Sequence, residues 1–248
     1  MSIVVVRVWL PDRPGALGQV ATRIGAAGGD VVGIEILERG GGSAIDELVV
    51  SLPDGVLLQV LLTEIALVEG VAIEDVREVD ETYGDTGLVV LEIAATVLEA
   101  PRDHGLKVFC EQLLGLVDGD WVVARTARSD SGNQTAGHAS LLEFGVAPDV
   151  AWLGAFIDGV GHLSGATHVD GIPGDVVWVH LESIDVAVVA GRSTRPFHAR
   201  ERQQVTLLGR IVDARMRLPE REVQFLEPVE GLRNCSSASQ AATALDGA

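Results

Sequence analysis

The sequence predicts a mixed α+β protein of two consecutive modules, each built around an antiparallel sheet. Three observations carry that expectation. Over residues 1–80, short runs rich in valine and isoleucine alternate with two stretches of helical apolar spacing, in the order β-α-β-β-α-β. The middle pair of strands is joined by Arg39-Gly40-Gly41-Gly42-Ser43, a connection too short for anything but a hairpin. The chain then continues to 248 residues and 26.1 kDa, more than the roughly 100 to 150 residues of a typical single domain.

Taken in order, residues 3–10 read as a strand from their β-branched content, and Pro11-Asp12-Arg13-Pro14-Gly15 ends it as a turn. Ala16, Leu17, Val20, Ala21, Ile24 and Ala27 then mark one buried helical face, which Gly28-Gly29 stops. Residues 31–38 and 44–52 are the hairpin strands, 56–68 a second amphipathic helix, and 71–79 the fourth strand. That order is a ferredoxin-like split βαβ unit, with both helices on one face of the sheet. It closes at residue 80, and 81–84 read as a linker.

The second module is expected over residues 85–218. Thr86 is placed as the N-cap of a helix running to Pro101, and residues 104–117 as another helix. Residues 121–126, 139–146, 176–181 and 185–189 read as strands, 128–140 as a surface loop, and 150–163 and 201–216 as helices. In the last helix, Leu207, Leu208, Ile211 and Val212 are expected to form the buried face. Residues 219–248 hold few bulky side chains and are expected to be a disordered tail, because they cannot bury enough apolar surface to offset ordering entropy.

Composition excludes several classes of function. Eighteen Lys plus Arg stand against 36 Asp plus Glu, a net charge of −18, which repels phosphate backbones and anionic lipids and argues against direct nucleic-acid or membrane binding. Mean hydropathy is +0.30, yet Gln59, Glu64 and Glu92 interrupt the apolar stretches below the ~20 residues a bilayer requires. Only Cys110 and Cys235 are present, and residues 1–8 lack the basic flank of a signal peptide, so a cytoplasmic protein with reduced thiols is expected.

Catalytic constellations are weak. His162, His168, Asp170, Asp175 and His180 form a local excess of metal-ligating types, but without an i, i+4 pair or a cysteine partner they read as a wet loop. Ser164 is one place out of register for a Gly-x-Ser-x-Gly elbow. Cys110 lies among Phe109, Leu113 and Leu114 and reads as a buried thiol. Arg192, Arg195, Arg200 and Arg202, with the four tryptophans, could form a partner surface, but such a cluster is more often a solvated helix face and is read as one.

The segment from Val4 through Trp9-Leu10-Pro11-Asp12-Arg13-Pro14-Gly15-Ala16-Leu17, followed by Gly29-Asp30-Val31-Val32-Gly33-Ile34, resembles the ACT domain, a small regulatory module of amino-acid metabolism. The resemblance covers residues 3–79. It implies allosteric binding of a small amino acid where two copies pair edge to edge. The residues admit that chemistry: Gly15 lets a ligand approach the backbone, and the N–H groups of Gly15, Ala16 and Leu17 at a helix start attract a carboxylate. Asp12 in the turn, and Asp30 where a partner copy would come close, suit an ammonium group. The ligand-binding set is therefore Asp12, Pro14, Gly15, Ala16, Leu17 and Asp30, against the alternative that Asp12 only caps the helix and Gly15 only makes the turn.

Residues 188–201, with Val205, Leu208, Ile211 and Val212 at helical spacing after them, look like the closing strand and helix of a GAF domain, a sensory α/β module around an antiparallel sheet. Together the two resemblances imply a non-catalytic, amino-acid-sensing homodimer that regulates a partner protein, with neither metal nor cofactor. A ligand-free dimerisation scaffold is the alternative, and an unrecognised enzyme using residues 162–180 a distant third.

Overall fold

Val4, Val5, Val6 and Val8 make β1 (Ser2–Pro11) a stiff extended run buried on both faces, and the first sheet is assembled on it. The computed structural model describes residues 1–80, 83–126, 140–161 and 176–218. The N-terminal sheet has the order β2-β3-β1-β4, with β2 at Asp30–Gly40, β3 at Ser43–Leu52 and β4 at Ala72–Val79. All its pairings are antiparallel, and Val4 opposite Val50, Val6 opposite Leu48 and Val8 opposite Asp46 set the register of β1 on β3.

Side chains alternate across this sheet with period two. Val4, Val6, Val8 and Leu10 point to the face covered by α1 (Ala16–Ala26) and α2 (Leu58–Ala66), where they pack with Val20, Ile24, Leu61 and Ile65. The expected β-α-β-β-α-β order is present, with element ends shifted by a few residues. At the end of α1, Gly28 takes φ +85° and donates to the Gly25 carbonyl while Gly29 donates to that of Ile24, a Schellman closure that a residue with a Cβ would strain.

After residue 80 the chain enters α3 (Thr86–Glu99) and α4 (Gly105–Leu116), then a second antiparallel sheet of order β6-β5-β8-β7. Its strands are β5 (Trp121–Thr126), β6 (Ser140–Gly145), β7 (Val176–Leu181) and β8 (Val186–Gly191). One face packs Val122, Val179, Val188 and Ala190 against α3, α4 and α6 (Ala199–Arg217). The other packs Trp121, Val123 and Val189 against Leu153 and Ile157 of α5 (Val150–Gly161). Both sheets lie within one unit, Met1–Arg217.

Three local expectations are corrected. The N-cap of α3 is Asp85 rather than Thr86: its carboxylate accepts from the N–H groups of Gly87 (2.7 Å) and Leu88 (3.2 Å), a cap that also places negative charge at the positive end of the helix. Helix α6 begins at Ala199 because Glu201 reaches back to accept the His198 N–H at 2.9 Å, the reciprocal half of a capping box. The buried face of α6 is Val205, Leu208, Val212 and Met216, whereas Leu207 and Ile211 are exposed. Most of the expected loop at 128–140, the end of the helix expected over 150–163 and the expected tail at 219–248 lie outside the described residues.

The corrected face makes a prediction. Leu208→Ala should lower unfolding free energy by about 2–5 kcal/mol in urea titrations, whereas Ile211→Ala should change it by less than about 1 kcal/mol. Equal losses at the two positions would place Ile211 in the core.

Candidate functional site

The turn after β1 is held by its own backbone. The Asp12 N–H donates to the Gly42 carbonyl at 3.0 Å, tying the turn to the β2–β3 hairpin, and the Arg13 N–H donates to the Pro11 carbonyl at 2.8 Å. Gly15 stands at the N-cap of α1 with φ +87° and no capping side chain, and a Cβ built there would meet nothing within 4 Å. The turn thus needs glycine for its backbone, and the space before it is open. Asp12, Pro14 and Gly15 are exposed, Leu17 is half-buried and Ala16 is buried.

The Ala16 N–H already donates to the Arg13 carbonyl at 3.2 Å. Helix geometry instead leaves the N–H groups of Leu17 and Gly18 without an intrahelical acceptor. Asp30 is exposed at the start of β2, opposite Ser51, whereas β1 reaches the turn where Pro11 pairs Ser43. Within one protomer Asp12 and Asp30 therefore lie at opposite ends of the sheet. One further acid at the turn's end of the sheet was not visible in the sequence: Asp46, on β3, is only 2% exposed and its Oδ1 has no hydrogen-bond partner.

The sheet face away from α1 and α2 carries a second polar assembly. Arg7, 1% exposed at the centre of β1, donates from Nε (3.1 Å) and Nη2 (2.7 Å) to Oε2 of Glu47. From the second module, Glu201 accepts from Arg7 at 3.2 Å and from Arg192 at 2.7 Å, and the Pro196 carbonyl accepts from both guanidiniums. Arg77 adds bonds to Glu47 (2.9 Å) and to the Tyr83 hydroxyl (3.1 Å). A cavity of about 440 Å³ opens beside these groups, lined among others by Arg7, Glu47, Arg77, Tyr83, Glu201 and Gln204.

The arginine cluster expected on a solvated helix face is in part the core of this junction. Arg192 and Arg195 are buried, Arg192 lying 3.8 Å from the centroid of the Phe197 ring and donating to the Val117 carbonyl at 2.8 Å. Arg200 pairs with Glu35 of β2, and Arg202 donates to the Val176 carbonyl at 2.8 Å. Beside them His198 sets Nδ1 3.3 Å from Glu38 and Nε2 2.8 Å from Glu74, which also accepts from Trp9. The visible signal for the assembly was Arg7 itself, a charge inside a run of valines.

Burial opposes charge throughout this junction. It would raise the Glu47 carboxyl, but Arg77 and Arg7 outweigh it and hold the group at about 2. Burial pulls Arg192 down to about 10 against the attraction of Glu201. Burial also pushes the Cys110 thiol up to about 12, so it stays protonated at neutral pH, consistent with the expected inert thiol. Among the described residues no three His, Cys, Asp or Glu form a metal-holding group, and His180 contacts Asp185 at 3.2 Å. His162, Ser164, His168, Asp170, Asp175 and Cys235 lie outside the described residues.

A carboxyl held below its unfolded value stabilises the fold above that unfolded value and loses its contribution as pH falls through the folded one. For Glu47, moving from 4.5 to about 2, that contribution is on the order of 3 kcal/mol, lost between about pH 5 and pH 2. Glu47→Gln should cost about 3–5 kcal/mol at pH 7, where Arg7 and Arg77 each lose an ionised partner, and should flatten this acid limb in calorimetric melting. A variant with an unchanged acid limb would disprove the assignment.

None of the curated proteins matches the chain. The family model of the ACT domain matches residues 4–66, which span β1 through α2 and include the whole turn. The N-terminal module of this chain carries an ACT domain.

Proposed function

We propose that this chain is a non-catalytic allosteric regulator whose ACT domain binds a small amino acid at the turn after β1. The supporting observation is that the family match falls on an open, left-handed Gly15 turn at the start of α1. The ligand carboxylate would lie on the free N–H groups at the helix start and its ammonium against Asp12. The second module, read as GAF-like, would receive the signal across the Arg7 junction and pass it to a partner protein. No described helix is long and apolar enough to cross a membrane.

Assembly follows from the free edge of the first sheet. β2 presents Val32, Ile34 and Ile36, exposed by 56%, 51% and 36%, beside unpaired backbone groups. A second copy pairing antiparallel on β2 would cover them and bring its Asp30 toward the first copy's Asp12. The alternative, a scaffold without ligand, is favoured by one observation, that the Ala16 N–H is already bonded within the turn.

A thermal-shift screen with branched-chain amino acids, serine and threonine separates the two. A ligand that binds only the native state adds about 2.7 kcal/mol at a hundredfold excess over Kd. Gly15→Val should fold with lower stability, since valine at φ +87° is strained, and should lose the shift. No shift at millimolar concentration for any of them leaves the scaffold. Light scattering should give a dimer near twice 26.1 kDa, and a monomer at micromolar concentration would remove the shared site.

A further inference from the structure

Asp46 has no evident structural task. It sits on β3 opposite Val8 of β1 and Ile36 of β2, on the sheet face that also carries Leu10, Ala44 and Ala16 at the start of α1. It is 2% exposed, and its Oδ1 is one of two buried polar side-chain atoms without a hydrogen bond among the described residues. An ionised carboxylate in that position costs several kcal/mol unless something donates to it, and asparagine or leucine would fill the space without that cost. A buried acid with an unmet oxygen calls for an explanation, and a ligand that donates to it supplies one.

The surroundings specify what kind of ligand. Burial pushes the Asp46 carboxyl above its ordinary value; Arg39, in β2, acts against that, and the negative charge of Asp12 adds to it. Strand register puts Asp46 three residues along β3 from Ser43, which pairs with Pro11, at the end of the sheet where the Asp12 N–H is bonded to the Gly42 carbonyl. Two carboxylates at one end of the sheet, one of them with an unmet oxygen, suit a compact cation with several donors, and a primary ammonium offers three N–H groups. The N–H groups of Leu17 and Gly18, at the start of the helix whose Ala16 packs on the same face with Leu10 and Ala44, ask for the opposite charge.

We propose that Asp46, assisted by Asp12, is the subsite for the ammonium group of a small α-amino acid whose carboxylate lies at the start of α1. The assignment rests on the amino-acid-binding reading of the turn and adds the residue that selects an amino acid over a simple carboxylate. Binding brings a donor to the orphaned oxygen and neutralises the repulsion between the two acids. A ligand lacking the ammonium group leaves both unanswered.

The test uses the full chain, calorimetric titration, and three related probes: L-valine, isovalerate, which lacks the ammonium, and isobutylamine, which lacks the carboxylate. Asp46→Asn should keep or raise the melting temperature of the free protein, because it removes an uncompensated buried charge. It should weaken L-valine binding by about tenfold or more, the loss of a charge-assisted hydrogen bond. Isovalerate should bind wild type more weakly than L-valine and be indifferent to the substitution, whereas isobutylamine should lose its binding in the variant. L-valine affinity within about twofold of wild type in Asp46→Asn overturns the subsite and leaves the turn reading standing. If neither L-valine nor any other amino acid binds wild type while isobutylamine does so through Asp46, the turn reading fails and the ammonium subsite survives. Absence of binding by all probes overturns both, as does stabilisation by calcium or magnesium alone that disappears in the variant, which would make Asp46 part of a metal site.

Discussion

The junction between the two modules depends on one buried guanidinium. Arg7 lies in the middle of β1, one of the two inner strands of the first sheet, where a valine would be expected, and cannot stay there ionised without partners. Glu47 supplies one from the neighbouring strand and Glu201 another from the start of α6. Glu47 meets Nε and Nη2 within the first module, and the second module adds the Pro196 carbonyl and Glu201, which complete the partners of the buried guanidinium. The same Glu201 caps α6 through the His198 N–H and holds Arg192, so helix capping, module docking and charge compensation share one carboxylate.

That arrangement also divides the first sheet by function. Its open face is occupied by the Arg7 junction and is unavailable to a ligand of any size beyond the adjoining cavity. Its helix-bearing face supplies the core and, at the end where β1 turns into α1, carries the polar turn of Asp12 and the buried carboxyl of Asp46. The edge strand β2 serves both, reaching α6 through Glu35 and Glu38 on one side and leaving Val32, Ile34 and Ile36 uncovered on the other.

The two acids near the turn show how environment differentiates identical chemistry. Asp12 is exposed and can take part in the turn at no desolvation cost, whereas Asp46 lies beneath the surface with an oxygen that no protein group meets. Glu47, the next residue along β3, points to the other face and is met by two arginines. Adjacent carboxylates on one strand are thereby pushed in opposite directions, Asp46 upward and Glu47 down to about 2.

The sequence by itself determined the β-α-β-β-α-β order, the resemblance to an ACT domain and the turn that needs Gly15, because apolar periodicity and backbone sterics act over a few neighbouring residues. It also placed Cys110 in the core from its immediate neighbours. Only the tertiary structure decided where charges meet. Arg7 finds Glu47 40 positions away and Glu201 194 positions away, separations over which no local pattern carries information. For the same reason Arg192 and Arg195 read as solvated when they are buried, and Ile211 read as core when packing against β7 selects Leu208 and Gly209 instead. Asp46 was invisible because an acid among alternating residues looks solvent-facing until strand register puts it opposite Val8, inside.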